Sequence, residues 1–172
     1  SKPKPNFVVL GGDTVAHYLP FSIDESHSYI KKVVRNISKS FNKKLFDVPL
    51  LFVLGNNDYV PNYGGINFTF DKKNFDSLYK NVIGPFIIKD KDYAENYEYD
   101  PNDRKQIEHD LYVKEQKRTF KRGGYYYYDI SEAKLRILVM NTVTYSYWRD
   151  IEGYNKNLEI DFLKKLSKTR NS

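Results

Sequence analysis

Two short apolar runs, residues 7–10 (Phe-Val-Val-Leu) and 49–54 (Pro-Leu-Leu-Phe-Val-Leu), each stop at a glycine turn, Gly11-Gly12-Asp13 and Gly55-Asn56-Asn57-Asp58. Continuous apolar runs of this length, bounded by turn residues, read as strands buried on both faces. Between them, over residues 24–45, Ile30, Val33, Val34, Ile37 and Phe41 recur at helical spacing, with Ser22 or Asp24 as the cap. Strand, helix, strand is a βαβ unit, which implies a parallel pair with a right-handed crossover. The 16 Tyr and 11 Phe likewise favour sheets over a plain helical bundle.

Further along, residues 71–82 place Phe75, Leu78, Tyr79 and Val82 on one helical face. Residues 89–122 are densely charged with mixed signs and read as an exposed insertion with some helix over 104–115. Gly123-Gly124 then breaks the chain before a strand at 125–130. The run 135–140 reads as a third buried strand, joined to the strand at 125–130 by a hairpin turn at 131–134. Alternation along 125–128 sends successive tyrosine rings to opposite faces, a core-and-surface arrangement rather than a base-stacking platform. Residues 157–168 close the chain as an amphipathic helix with Leu158, Phe162, Leu163 and Leu166 inward. The whole reads as one α/β domain.

With 0 Cys, neither a disulfide framework nor a thiolate metal site is available. No apolar run reaches membrane-spanning length. The net charge of +6 fits attraction to an anionic substrate, but charge alone does not separate a phosphoester from nucleic acid or an anionic membrane. Lys31-Lys32 and Lys43-Lys44 read as the solvated side of a helix. Asn36-Ile37-Ser38 and Asn67-Phe68-Thr69 are glycosylation sequons by pattern. The abrupt start of a strand after Pro5 reads as a fragment or a processed form. Phosphate-cradling glycine loops, serine nucleophile elbows and zinc-finger spacings are absent from the sequence.

The chemistry is concentrated in the two glycine turns. In a parallel sheet the ligand crevice lies beyond the C-terminal ends of the strands, where both turns would sit. Asp13 offers an anionic oxygen and Asn56 a neutral carbonyl oxygen, donors that suit divalent cations. The same dipeptides also serve as ordinary turns.

Gly12-Asp13-Thr14-Val15-Ala16-His17 resembles the second motif of calcineurin-like metallophosphoesterases, in the longer form used by acid sphingomyelinase-like enzymes. Gly55-Asn56-Asn57-Asp58-Tyr59-Val60-Pro61-Asn62 resembles the third motif of that branch, and its Asn-Asn-Asp version is similar to that of the endopolyphosphatases. The Gly123-Gly124-aromatic strand start, the strand ending Asn141-Thr142, Trp148 and the Glu159–Leu166 stretch resemble later family features in the same order. The resemblance implies two mixed sheets packed face to face with flanking helices, here partial. It implies that Asp13 bridges two divalent metal ions (zinc, with manganese or iron as alternatives) and that Asn56 binds the second. A hydroxide between the metals would attack phosphorus in line.

His17 and Asn57 fall at catalytic positions, and Asp58 would orient the ligands. Many relatives carry His where this chain has Asn57, and an amide is no general acid. Leaving-group protonation then falls to His17, or the leaving group needs none, as in a polyphosphate. The family's Asp-x-His strand before Phe7 and its His ligands beyond the last helix are missing. His27, on a charged helix, and His109, in the insertion, read as surface residues.

The expected activity is hydrolysis of a phosphodiester or phosphoanhydride (a sphingomyelin-like lipid, a nucleotide or polyphosphate) in a secreted or vacuole-like compartment. The alternatives are a catalytically inactive relative that binds a partner and, more weakly, a basic nucleic-acid-binding domain, although no stable nucleic-acid complex is expected.

Overall fold

A computed structural model of the chain describes residues 5–17, 22–42, 48–61, 68–93, 100, 104–130, 133–145 and 157–168. Strand β1 (Val8–Leu10) lies parallel to β2 (Leu50–Phe52), pairing Val8 with Leu50 and Leu10 with Phe52. The ladder extends at both ends, from Val8 N–H to Pro49 O at 2.8 Å and from Val53 N–H to Leu10 O at 2.9 Å. Helix α1 (Ile23–Asn42) joins the two strands. Ser22 is its cap: Ser22 Oγ accepts the Glu25 N–H at 3.3 Å, while the Glu25 carboxylate accepts the Ser22 N–H at 2.9 Å. This reciprocal box satisfies donors that a helix start leaves open.

β2 is buried, as its composition requires, but β1 is not the buried strand its composition implied. Val9 is 51% exposed. β2 is the only strand paired with β1 among the described residues, so one edge and part of one face of β1 stay open. The opposite edge of β2 is closed by a side chain. Tyr126 donates its hydroxyl to Phe52 O at 3.0 Å and accepts the Phe52 N–H at 2.9 Å, standing in for a neighbouring strand.

Helix α2 (Phe68–Leu78) runs on into wider π-type turns over Tyr79–Ile88, with Pro85 inside. Proline has no N–H for a regular ladder. This segment supplies Tyr79, Val82, Ile83, Ile87 and Ile88 to the core.

Helix α3 (Arg104–Gly123) lies where an exposed insertion was expected. It is longer than the predicted 104–115 and is core on one face, burying Val113, Gln116, Thr119 and Phe120. Two of its lysines are tethered: Lys117 reaches Asp90, itself buried, at 3.2 Å, and Lys121 reaches Asp76 at 3.1 Å.

Strands β3 (Tyr126–Ile130) and β4 (Leu135–Val139) form the expected antiparallel hairpin. β4 is not a buried strand, since Leu135 and Leu138 are 43% and 40% exposed and only Val139 is buried. Tyr126 enters the core. Tyr125, on the other face, packs on Phe162 of α4 (Asn157–Lys168) with ring centroids 4.9 Å apart. Leu158 and Leu166 are half-buried there, whereas Leu163, expected inward, is exposed.

The architecture is mixed α/β, with one parallel and one antiparallel two-stranded sheet among the described residues. The core gathers Ile30 and Val34 of α1, Phe52 and Leu54, Phe75 and Leu78, and Phe120 and Tyr126. No described helix is long and apolar enough to cross a membrane. Asn36 is exposed, while Asn62, Asn67 and Trp148 lie outside the described residues.

Candidate functional site

The two glycine turns meet in backbone contact at the C-terminal ends of β1 and β2. Gly12 adopts a φ of 73°, and a Cβ there would lie 2.4 Å from Gly55 N. A Cβ on Gly55 would lie 2.2 Å from Asp13 Oδ1 and 2.3 Å from Asp13 N. No side chain fits between the turns, so glycine at both positions follows from sterics. Asp13 itself has a φ of 49°, left-handed backbone that Asp tolerates better than most residues.

Asp58 clamps the turns together. It is fully buried, and its carboxylate accepts three backbone N–H groups: Asp13 at 3.1 Å, Thr14 at 2.9 Å and Gly55 at 2.8 Å. Burial pushes the Asp58 carboxyl up, and these donors pull it back toward the ionised form. Asp13 returns the link, its Oδ1 accepting the Asn57 N–H at 3.0 Å. Asn56 Nδ2 donates to Asn57 Oδ1 at 2.7 Å, an orientation that leaves the Asn56 carbonyl oxygen as its acceptor. Asp13 is exposed, Asn56 half-buried and Asn57 buried. His17 stands exposed on the loop that follows Asp13.

Four of the five candidate residues, Asp13, Asn56, Asn57 and Asp58, are therefore one connected group. His17 shares only the loop of Asp13.

One further buried side chain, His27, holds this group, and two more, Asn74 and Asn141, hold the Tyr59-Val60 segment that follows it; none was assigned a site role from the sequence. His27, expected on the surface, is fully buried on α1 with Nε2 3.0 Å from Asp58 O. Its Nδ1 is buried without a hydrogen-bond partner. Burial pushes His27 down to about 4, against the pull of the Asp58 carbonyl and Asp24, so the ring is neutral and Nε2–H is the donor. Asn74 brackets Val60, accepting its N–H at 2.9 Å and donating to its C=O at 3.0 Å. Asn141 donates to the Tyr59 hydroxyl and to Gly123 O. The signal for His27 was available: it stands three residues before Ile30 and seven before Val34, on the buried face of the helix. His109 is half-buried, stacked on Tyr112.

The oxygens of Asp13 and Asn56 suit a divalent cation in kind. They are few in number: no group of three or more His, Cys, Asp or Glu able to hold a metal occurs among the described residues. No protein-family model matches the chain, and no curated protein matches it.

Proposed function

We propose that the two-turn edge is part of a metal-dependent phosphoester hydrolase site of the calcineurin-like kind, acting on a phosphodiester or phosphoanhydride. The observation that carries this reading is the clamp: a buried carboxylate, Asp58, accepts three N–H groups of the backbone that presents Asp13 and Asn56. An ordinary pair of turns has no need of a buried charge to hold them in register. The net charge of +6 agrees with an anionic substrate.

Asp13 and Asn56 would hold divalent ions together with ligands from outside the described residues. Such a pair supplies charge to the phosphoryl oxygens and a nucleophile at neutral pH. Asp58 and His27 fix the turn through Asp13 N, Gly55 N and Asp58 O. His17, exposed on the loop that follows Asp13, is the candidate to give a proton to a leaving group. Asn57 has no acid chemistry and contributes its N–H to the Asp13 carboxylate. The two-sheet sandwich belongs to the same proposal.

A second reading, an inactive relative that binds a partner, draws on the amide at position 57. Metal content per chain by elemental mass spectrometry, combined with turnover of bis(p-nitrophenyl) phosphate and of polyphosphate, separates the two. About two metals per chain and turnover abolished by Asp13→Asn support the hydrolase. A metal-free, inactive chain refutes it and leaves the binding reading.

A further inference from the structure

We propose that the outward face of α1 docks on an anionic phospholipid bilayer. The inference is independent of the hydrolase reading and starts from how charge is distributed on that helix. Its acids, Asp24 and Glu25, lie in the first turn and are engaged: Glu25 closes the Ser22 cap, and Asp24 accepts the Ser77 hydroxyl at 3.3 Å. From Ser26 to Asn42 the helix has no acid, and it carries Lys31, Lys32, Arg35 and Lys39.

Lys32, Arg35 and Lys39 are exposed and spaced i, i+3, i+7, so they form one line opposite the buried His27, Ile30 and Val34. Over seven residues that line is about 10 Å long. A face that is merely solvated commonly carries interspersed signs, as α3 does. Lys72, Lys91, Lys117, Arg118, Lys121, Arg136, Lys164 and Lys165 all pair with carboxylates. Lys31, Lys32 and Lys39 enter none of the ion pairs among the described residues, and neither do Lys73, Lys80, Lys89, Lys114 and Lys168; what marks α1 is that its basic residues line up on a helix without an acid from Ser26 to Asn42. Lys32 instead rests its ammonium 4.9 Å from the ring centre of Tyr29, which is exposed.

Two features favour a bilayer over a nucleic acid. The line is mostly lysine, a compact charge suited to a diffuse surface potential, whereas bidentate phosphate recognition favours arginine. The exposed Tyr29 ring at its start, with the lysine stems beside it, matches side chains that settle in a headgroup layer. The apolar face of α1 is committed to the core, so the attachment is electrostatic and reversible.

The test is co-sedimentation of the whole chain with phosphatidylcholine vesicles, with and without about a third phosphatidylserine, at low and physiological salt. Binding is expected only to the anionic vesicles and weakens with salt. At about fivefold per cation, the double variant Lys32→Gln/Lys39→Gln lowers partitioning roughly 25-fold. The control Lys164→Gln/Lys168→Gln, with the same change of charge on α4, lowers it no more than about twofold, because those lysines lie off the α1 line. All substituted side chains are exposed, and circular dichroism checks that both variants fold. No binding to anionic vesicles, equal losses in the two variants, or α1-dependent binding to duplex RNA with none to vesicles overturns the proposal.

Discussion

Asp58→Asn is the sharpest test of how the site is held. The substitution preserves shape and turns one oxygen into an NH2 group. In the native arrangement Oδ2 accepts Asp13 N–H and Gly55 N–H, and Oδ1 accepts Thr14 N–H. Three donors now face one acceptor. The better amide orientation keeps oxygen toward Asp13 and Gly55, and sets the NH2 against the Thr14 N–H. Two bonds fall from charge-assisted to neutral, together about 2 kcal/mol, and an N–H left without a partner adds about 1–3 kcal/mol. Relief of the buried carboxylate offsets part of this, leaving a net loss of about 3 kcal/mol. For a chain of this size that is a fall in Tm of about 6–12 °C. Urea unfolding followed by far-ultraviolet circular dichroism should show a lower midpoint at unchanged slope. If Asp58→Asn stays within about 0.5 kcal/mol of the parent, the three bonds do not hold the turns and the argument for a clamp fails.

Other consequences are equally concrete. Tyr126→Phe keeps the ring but strips both partners from the buried Phe52 peptide groups. It should cost about 2–4 kcal/mol in the same unfolding assay, and a neutral result would mean that the hydroxyl does not close the β2 edge. Gly55→Ala puts a methyl group on Asp13 backbone and should cost about 2–3 kcal/mol along with the local geometry of Asp13, whereas Gly11→Ala, with nothing within 4 Å, should be nearly silent; equal effects would contradict the close approach of the turns. His27 gives a pH dependence. Its folded value of about 4 lies below the ordinary 6.5, so the unfolded chain binds the proton first as pH falls. Its contribution is intact above pH 6.5 and declines toward pH 4, by about 3 kcal/mol in all. His27→Gln, whose amide can still donate to Asp58 O, should remove that part of the slope between pH 7 and pH 4, and an unchanged slope would show that His27 is not the titrating group.

Local pattern was legible where one residue's neighbours in sequence decide its structure. Ser22, one of the two caps the sequence offered, starts α1, and the period of Leu158, Phe162 and Leu166 set α4 between its observed ends. The parallel pair followed from two apolar runs around a helical one. The glycine turns marked where polar side chains would gather. What local pattern did not carry is which faces are covered. The run 7–10 and the run 135–140 have the composition of buried strands, yet each has open surface because cover is a property of neighbouring elements. The charge density of 104–123 hid a core face for the opposite reason: lysines such as Lys117 and Lys121 are long enough to reach acidic partners, buried Asp90 and half-buried Asp76, while the helix behind them buries Phe120.

His27 shows why the site itself was only half visible. Asp24 and Glu25 next to it gave a polar reading, although the spacing to Ile30 and Val34 already put it inward. What it does there depends on Asp58, 31 residues away, just as Asp58 acts on Asp13 and Thr14 at separations of 45 and 44. A carboxylate in a turn is ordinary. A buried carboxylate that collects three N–H groups from two turns, with its own carbonyl held by a neutral histidine, is a device for fixing backbone, and its cost in desolvation makes sense only if something depends on where Asp13 and Asn56 point. The glycines say the same in steric terms, since the turns approach too closely for any side chain. The positions that bear the candidate oxygens are thus the ones readable from composition, whereas the positions that aim them are defined by tertiary contact.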